Sequence, residues 1–293
     1  MLPELLWALQ QFYVSPEIAA RMASTLQEHQ GEYRSLTGED LARQLTTDLQ
    51  EISHDQHLRV QFFRAAAPPT PARLAPSPRQ LESERQDGLH DNFGFAHVRR
   101  LPGNVGYLDI RAFHTLAIAR PTVVAAMHEI ATTSALIIDL RNNFGGEPDC
   151  VTFVASYLFD QPVHLDTLVM RWPENHTQQY WTTPVAASFG GLKPVYLLTS
   201  HRTFSGGEAF AYNLQALHRV RIVGETTAGA AHLTVPIRVS QHFVVAVPFG
   251  RSVNPTTGKD WEGTGVVPDV AAPAGDAYRL ALDDINAARA AGQ

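Results

Sequence analysis

Apolar positions recur at helical spacing through the first fifty residues: Leu5, Leu6, Leu9 and Phe12 make one stripe, and Leu41, Leu45 and Leu49 another. Between them Ser15-Pro16-Glu17 reads as an N-cap followed by proline at the first helical position, and Thr37-Gly38-Glu39-Asp40 opens a further helix. Residues 3–53 are therefore expected to form a three-helix unit. After the turn at His54-Asp55-Gln56-His57 the pattern shortens to a strand that ends near Phe63. Residues 65–91 hold five prolines and no sustained apolar period, which predicts a surface loop or linker.

From residue 93 the texture changes. Residues 93–98 and 105–110 read as strands joined by the turn-rich Leu101-Pro102-Gly103-Asn104, so a hairpin is expected. A helix is predicted over 121–131 and a buried strand over 135–140. A helix follows over 151–160, then strands over 163–172 and 177–182, and a second buried strand over 194–198. Further strands are expected at 221–225 and 243–247, with a closing helix from about 276 to 290. Strands with wholly apolar centres alternating with helices indicate an α/β domain. The expected division is 1–64 for the helical unit, 65–91 for the linker and 92–293 for the α/β core.

Two strand ends carry the chemistry. The strand over 194–198 leads to Thr203-Phe204-Ser205-Gly206-Gly207-Glu208, after which Phe210, Leu214 and Leu217 fall at helical spacing. Ser205 thus sits at a strand-turn-helix junction, where a hydroxyl is held clear of the sheet and the N–H groups of the helix start face any oxygen it attacks. The same spacing also suits a plain N-cap, with Glu208 as its capping-box partner. The strand over 135–140 runs into Arg141-Asn142-Asn143-Phe144-Gly145-Gly146, and paired glycines there suit either a tight turn or a close backbone approach to a ligand.

Composition removes several function classes. A net charge of −6 and the lack of any Lys/Arg run argue against a nucleic-acid partner. No apolar stretch approaches the roughly 20 residues of a membrane span, and the first residues, with Glu4 early, read as a helix of the folded protein and not a leader. The lone cysteine, Cys150, excludes an intramolecular disulfide and reads as a small buried apolar residue; a soluble, cytoplasmic protein is expected. His54, Asp55 and His57 have ligand chemistry, but no further ligand follows at a suitable spacing, so neither a metal nor another cofactor is expected.

Five stretches in order resemble the tail-specific, or C-terminal processing, serine peptidases, in the branch that includes interphotoreceptor retinoid-binding protein. They are Gly103 to Leu108; Ile137 to Asn142 with Gly145-Gly146; Thr203 to Glu208; Gly224-Glu225-Thr226-Thr227-Ala228-Gly229; and Asn254-Pro255 with Trp261 to Val266. The likeness extends to the N-terminal helices and to Ser53 through Leu58. The resemblance implies a crotonase-like or ClpP-like α/β spiral core and places Ser205 where the family has its nucleophile. It also exposes a departure: where processing peptidases have the lysine of a serine-lysine dyad, this chain has Ala230. A PDZ domain, which many relatives carry, has no counterpart in so short a segment as 65–91.

A serine without its lysine needs another proton acceptor. His232, two positions further on, has an imidazole of suitable pKa, and Glu262 stands where the resemblance puts the acidic member of tricorn-type relatives. The expected catalytic set is Ser205, His232 and Glu262, with Gly145, Gly146 and Gly206 as oxyanion donors and Arg141, Asn142, His57, Asp109 and His114 around the substrate. His57 and His114 are weaker candidates for the base. Two function classes follow: a serine hydrolase or acyl-transfer enzyme acting on a peptide, ester or amide, or a protein on the same scaffold that binds a lipophilic small molecule or guides its rearrangement or cyclisation.

Overall fold

The computed structural model describes residues 1–71 and 76–291. The chain forms two compact units, one of Met1–Ala75, Leu168–Gln178 and His232–Ser252, the other of Pro76–Thr167, Gln179–Ala231 and Val253–Gln293. The first unit thus takes in two stretches that the sequence pattern assigns to the core domain. The reason is long-range strand pairing, to which local periodicity is blind.

In the first unit the helices Leu2–Phe12, Pro16–Glu28 and Gly38–Ser53 follow the apolar stripes, with a single extra turn at Gln30–Tyr33. Ser15 caps the second of them, its Oγ accepting the Ile18 N–H at 3.4 Å. Helix Pro16–Glu28 packs against both long neighbours, burying Leu5, Leu9, Met22, Leu26, Leu45 and Leu49; each such side chain contributes about 1.5–3 kcal/mol. The strand Arg59–Phe62 pairs antiparallel with Phe243–Val253, which pairs in turn with His232–Arg238. The last strand lies in a stretch to which the sequence pattern assigns no element. Pro236 within it is exposed, and proline, having no N–H, belongs on an edge, where no partner asks for one.

The second unit is built on a six-stranded sheet in the order Val270–Ala271, Arg221–Gly224, Val195–Thr199, Ala135–Asp139, Val105–Ile110 and Phe95–Leu101. All neighbours are parallel except the last pair, the hairpin expected from Leu101 to Asn104. Alternate residues serve opposite faces: Leu136 and Ile138 join the core under the helices Leu116–Ile130, Pro148–Ser156 and Gly206–Ala216, whereas Ile137 meets Ala277, Ala281 and Ile285 of Ala274–Ala291. Apolar cores on both sides explain why these strands are apolar throughout. The α/β class with N-terminal helices is as the sequence predicts.

The linker expected over 65–91 needs correction. Pro78–His90 is a helix. Its prolines mislead because one of them, Pro78, stands at the first helical position, where a missing N–H costs nothing. Ser77 and Gln80 form a capping box, Glu82 pairs with Arg85 and Gln86 along one face, and Glu84 accepts from both the backbone N–H and the hydroxyl of Thr115 at 2.8 Å. A polar helix held by caps and side-chain pairs leaves no apolar period to read. Similarly, Leu116–Ile130 starts a turn and a half before Pro121, the residue that the sequence suggested as its first.

Candidate active site

Because Ala135–Asp139, Val195–Thr199 and Arg221–Gly224 run parallel, their C-terminal ends share one edge of the sheet. The loops that leave it carry the glycine pair, Ser205 and the Gly224 to Gly229 motif. This edge is where open α/β sheets bind ligands. The loops are tied to one another: Thr203 Oγ1 donates to Leu140 O (2.8 Å), Phe204 N to Asn143 O (3.0 Å) and Ala228 N to Thr203 O (3.1 Å). Asn143, fully buried, accepts the Gly145 N–H on Oδ1 at 2.8 Å and donates from Nδ2 to Ile110 O at 2.9 Å. Sequence reasoning passed over Asn143, which looks like any polar turn residue.

Ser205 has φ 51° and ψ −118°, a conformation that a side-chain-bearing residue adopts only when its surroundings impose it, at a cost of about 1–3 kcal/mol. Close packing of glycine against the turn supplies the constraint. A Cβ on Gly145 would fall 2.7 Å from Ser205 Cβ, and one on Gly206 would fall 2.7 Å from Gly146 O and 2.9 Å from Gly146 N. The Gly145 N–H, expected as an oxyanion donor, is committed to Asn143. Gly206 begins its helix, so its N–H has no partner within that helix, and the Gly146 N–H takes no part in the bridge to Phe113, which uses Gly145 O and Glu147 N. Gly146 itself has φ 132°, and a Cβ there would lie 2.0 Å from Phe113 O. Gly146→Ala is therefore expected to destabilise the protein by more than about 3 kcal/mol, to be read from urea unfolding midpoints; an unchanged midpoint would show that the loop yields freely.

Glu208 holds the constellation together. Its fully buried carboxylate accepts from Thr227 Oγ1 and Gly229 N on Oε1 (both 2.6 Å) and from Ser205 N and Ala230 N on Oε2 (2.8 and 2.9 Å). Burial pushes its carboxyl above the usual range, while the four donors pull it back down. Ser205 and Ala230 thus share one carboxylate oxygen. The Ala230 carbonyl accepts Trp261 Nε1 at 3.0 Å, and Glu262 Oε2 accepts the Ala231 N–H at 2.5 Å. The chain's two lysines are engaged elsewhere or exposed. Lys193 donates to Ala131 O and Thr133 O near the N-terminal end of Val195–Thr199, the opposite edge from Ser205, and Lys259 lies on an exposed turn.

The predicted substrate residues separate. Arg141 binds Asp139 through Nε and Nη2 (2.9 and 2.6 Å) and Ala274 O through Nη1 (2.7 Å), which makes it a structural clamp of the loop. Asp109 pairs with Arg111, and His114 lies between Asp91 (3.0 Å) and Glu84 (3.5 Å); Asn142 is exposed beside Phe144, whose ring is 65% exposed. Cys150 is buried, and burial pushes its thiol up to about 12, which disfavours the thiolate.

In the first unit, His232 opens its strand with Nδ1 at 2.6 Å from Asp55 Oδ2. His57 follows in the same turn as Asp55, and burial lowers its imidazole to about 4. Folded His57 is then neutral at pH 5, whereas in the unfolded chain it titrates near 6.5 and takes up a proton. Stability is expected to fall as pH drops from about 6.5 toward 4, and His57→Asn should flatten that fall in thermal midpoints recorded at pH 7 and pH 5. An identical slope in the variant would assign it to other groups. A cleft of about 600 Å³ in this unit, bordered by Met170, Arg171, His176 and Arg251, contains none of the predicted site residues.

Ser205 thus stands strained on a strand-to-helix turn, packed against a glycine pair. Residues 104–272 match the model of peptidase family S41, and residues 1–88 match that of the N-terminal domain of peptidase S41 in eukaryotic IRBP. The chain belongs to peptidase family S41. It is 28% identical over 197 residues to a carboxyl-terminal-processing protease of Synechocystis sp., covering 62% of this chain and 44% of that protein. It spans less than half the length of the curated relatives that it matches. Its fold is similar to that of the tricorn protease (TM-score 0.63, 15% identity, 97% of this chain and 36% of the other). It is also similar to that of the photosystem II D1 C-terminal processing protease (TM-score 0.53, 17% identity, 93% and 92%). Among the described residues no helix is long and apolar enough to cross a membrane.

Proposed function

We propose that the chain is a serine hydrolase or acyl-transfer enzyme with Ser205 as nucleophile and a histidine, His232, as its proton acceptor. The observation that carries this reading is the strained Ser205 turn, whose backbone N–H is held by buried Glu208 beside the Gly146 and Gly206 N–H groups, which have no hydrogen-bond partner among the described residues. The same Glu208 oxygen binds Ala230 N, and His232 follows two residues later in the sequence. Glu262, by accepting the Ala231 N–H, fixes the backbone from which His232 departs.

In this reading Ser205 Oγ attacks the carbonyl carbon of a peptide, ester or amide while His232 takes its proton. The oxygen that becomes negative accepts from the Gly146 and Gly206 N–H groups, and collapse expels the leaving group with the proton returned by His232. Water, or another nucleophile, then repeats the sequence on the acyl-serine. The exposed Phe144 ring next to the glycine pair favours an apolar acyl side chain. It also favours the second reading, in which the scaffold binds a lipophilic small molecule and Ser205 serves only as a hydrogen-bond donor. Hydrolysis of a panel of p-nitrophenyl esters separates the two. Turnover that rises with pH through about 6.5, is abolished in His232→Ala and is reduced in Glu262→Gln is expected for the hydrolase. No turnover, together with a melting temperature raised by a lipophilic ligand, would replace it with the second reading.

A further inference from the structure

Asp55 enters this picture from the far end of the sequence. Helix Gly38–Ser53 closes on His54 in the left-handed conformation (φ 56°), and the chain turns so that the next side chain points inward: Asp55 is 1% exposed. A buried carboxylate requires donors, and this one has three from separate elements. Oδ1 accepts the His57 N–H at 3.0 Å; Oδ2 accepts the Tyr13 hydroxyl at 3.3 Å and lies 2.6 Å from His232 Nδ1. The His232 side chain is itself 11% exposed. A carboxylate only accepts, so the proton of the 2.6 Å contact sits on Nδ1.

We propose that Asp55 is a positioning residue for His232: by accepting the Nδ1 hydrogen bond it locks the imidazole in the tautomer that carries no proton on Nε2, and it stabilises the imidazolium that forms when Nε2 takes a proton. This rests on the reading of His232 as the base and deepens it, assigning to Asp55 the orientation of the ring and leaving to Glu262 the backbone before it. The division is chemically coherent. Among the described residues of the first unit, the charged and titratable groups around His232 include Asp55, His57 and, through Asp55, Tyr13, with Arg59 acting on His57. Burial lowers His57 to about 4, so at neutral pH its ring carries no charge beside Asp55. Removing the carboxylate takes away both the tautomer lock and the negative charge in contact with the ring.

The test is nitrogen NMR of the full chain with ¹⁵N-labelled histidine, combined with the rate of fluorophosphonate labelling against pH. In wild type His232 is expected as the Nδ1–H tautomer at pH 8, and Asp55→Asn is expected to lower the pH at which this ring titrates by about a unit or more. Labelling should slow by about 10²-fold or more in Asp55→Asn and recover in part in Asp55→Glu. An Nε2–H tautomer in wild type overturns the proposal even if every Asp55 variant fails to fold. So does an unchanged His232 titration in a folded Asp55→Asn. Failure of the base reading looks different: labelling would persist in His232→Ala, or be absent from wild type, while the NMR result still decides what Asp55 does to the ring.

Discussion

Ser205→Ala is expected to reduce ester or peptide turnover by about 10³-fold or more while leaving the thermal midpoint within a degree or two of wild type. The first half follows from removing the attacking atom, after which only binding and the oxyanion donors remain to assist water. The second half follows because alanine keeps the backbone contacts that impose the turn: the Ser205 N–H still donates to Glu208, and Gly145 still fits against the Cβ. Ser205→Gly is the sharper companion. Glycine adopts φ 51° without strain, so this variant should be inactive yet more stable, by up to about 1–3 kcal/mol less whatever glycine gains in unfolded-state entropy. A serine kept at a site where glycine is more stable is a serine kept for chemistry. Comparable turnover in the alanine variant would show that Ser205 only shapes the turn.

The second large effect is expected at Glu208. Glu208→Ala leaves four donors without their acceptor inside the second unit, namely Ser205 N, Thr227 Oγ1, Gly229 N and Ala230 N. Losing the acceptor of a buried charged network costs about 3–5 kcal/mol. In a chain of 293 residues that lowers the thermal midpoint by roughly 10 °C. Glu208→Gln preserves the shape but turns an NH₂ toward two of the donors, so it should lie between wild type and alanine. Differential scanning calorimetry of the three proteins measures this directly. If both variants melt with wild type, the four short bonds hold nothing that the loops do not hold without them. Activity should fall in both variants as well, because the same carboxylate aligns the turn of Ser205 with the stretch that leads into His232.

The parts of this site that were legible in the sequence are those made by neighbours in the chain. An apolar run ending at Leu198, a glycine pair after Ser205 and helical spacing from Phe210 suffice to place the turn, and Glu208, three residues on, was visible as a capping partner. Its further bonds, to Thr227, Gly229 and Ala230, were not visible, because they join loops that meet only when three parallel strands end at one edge. Asp55 and His232 are 177 residues apart, and no periodicity links them. The strand that begins at His232 was hidden by Pro236, and Pro78–His90 was hidden by a run of prolines of which the last marks its start. Gly145 illustrates a different limit: it was expected as an oxyanion donor, whereas the structure packs it closely against Ser205 and commits its N–H to Asn143.

The central claim, that Ser205 is a nucleophile activated by an imidazole, is tested most directly by the mass of the intact protein after exposure to a fluorophosphonate, with the adduct located by peptide mapping. One adduct per chain on Ser205 is predicted, forming faster as pH rises through about 6.5 and absent from Ser205→Ala and His232→Ala. An adduct on any other residue, or one that forms on Ser205 at the wild-type rate when His232 is alanine, would contradict it.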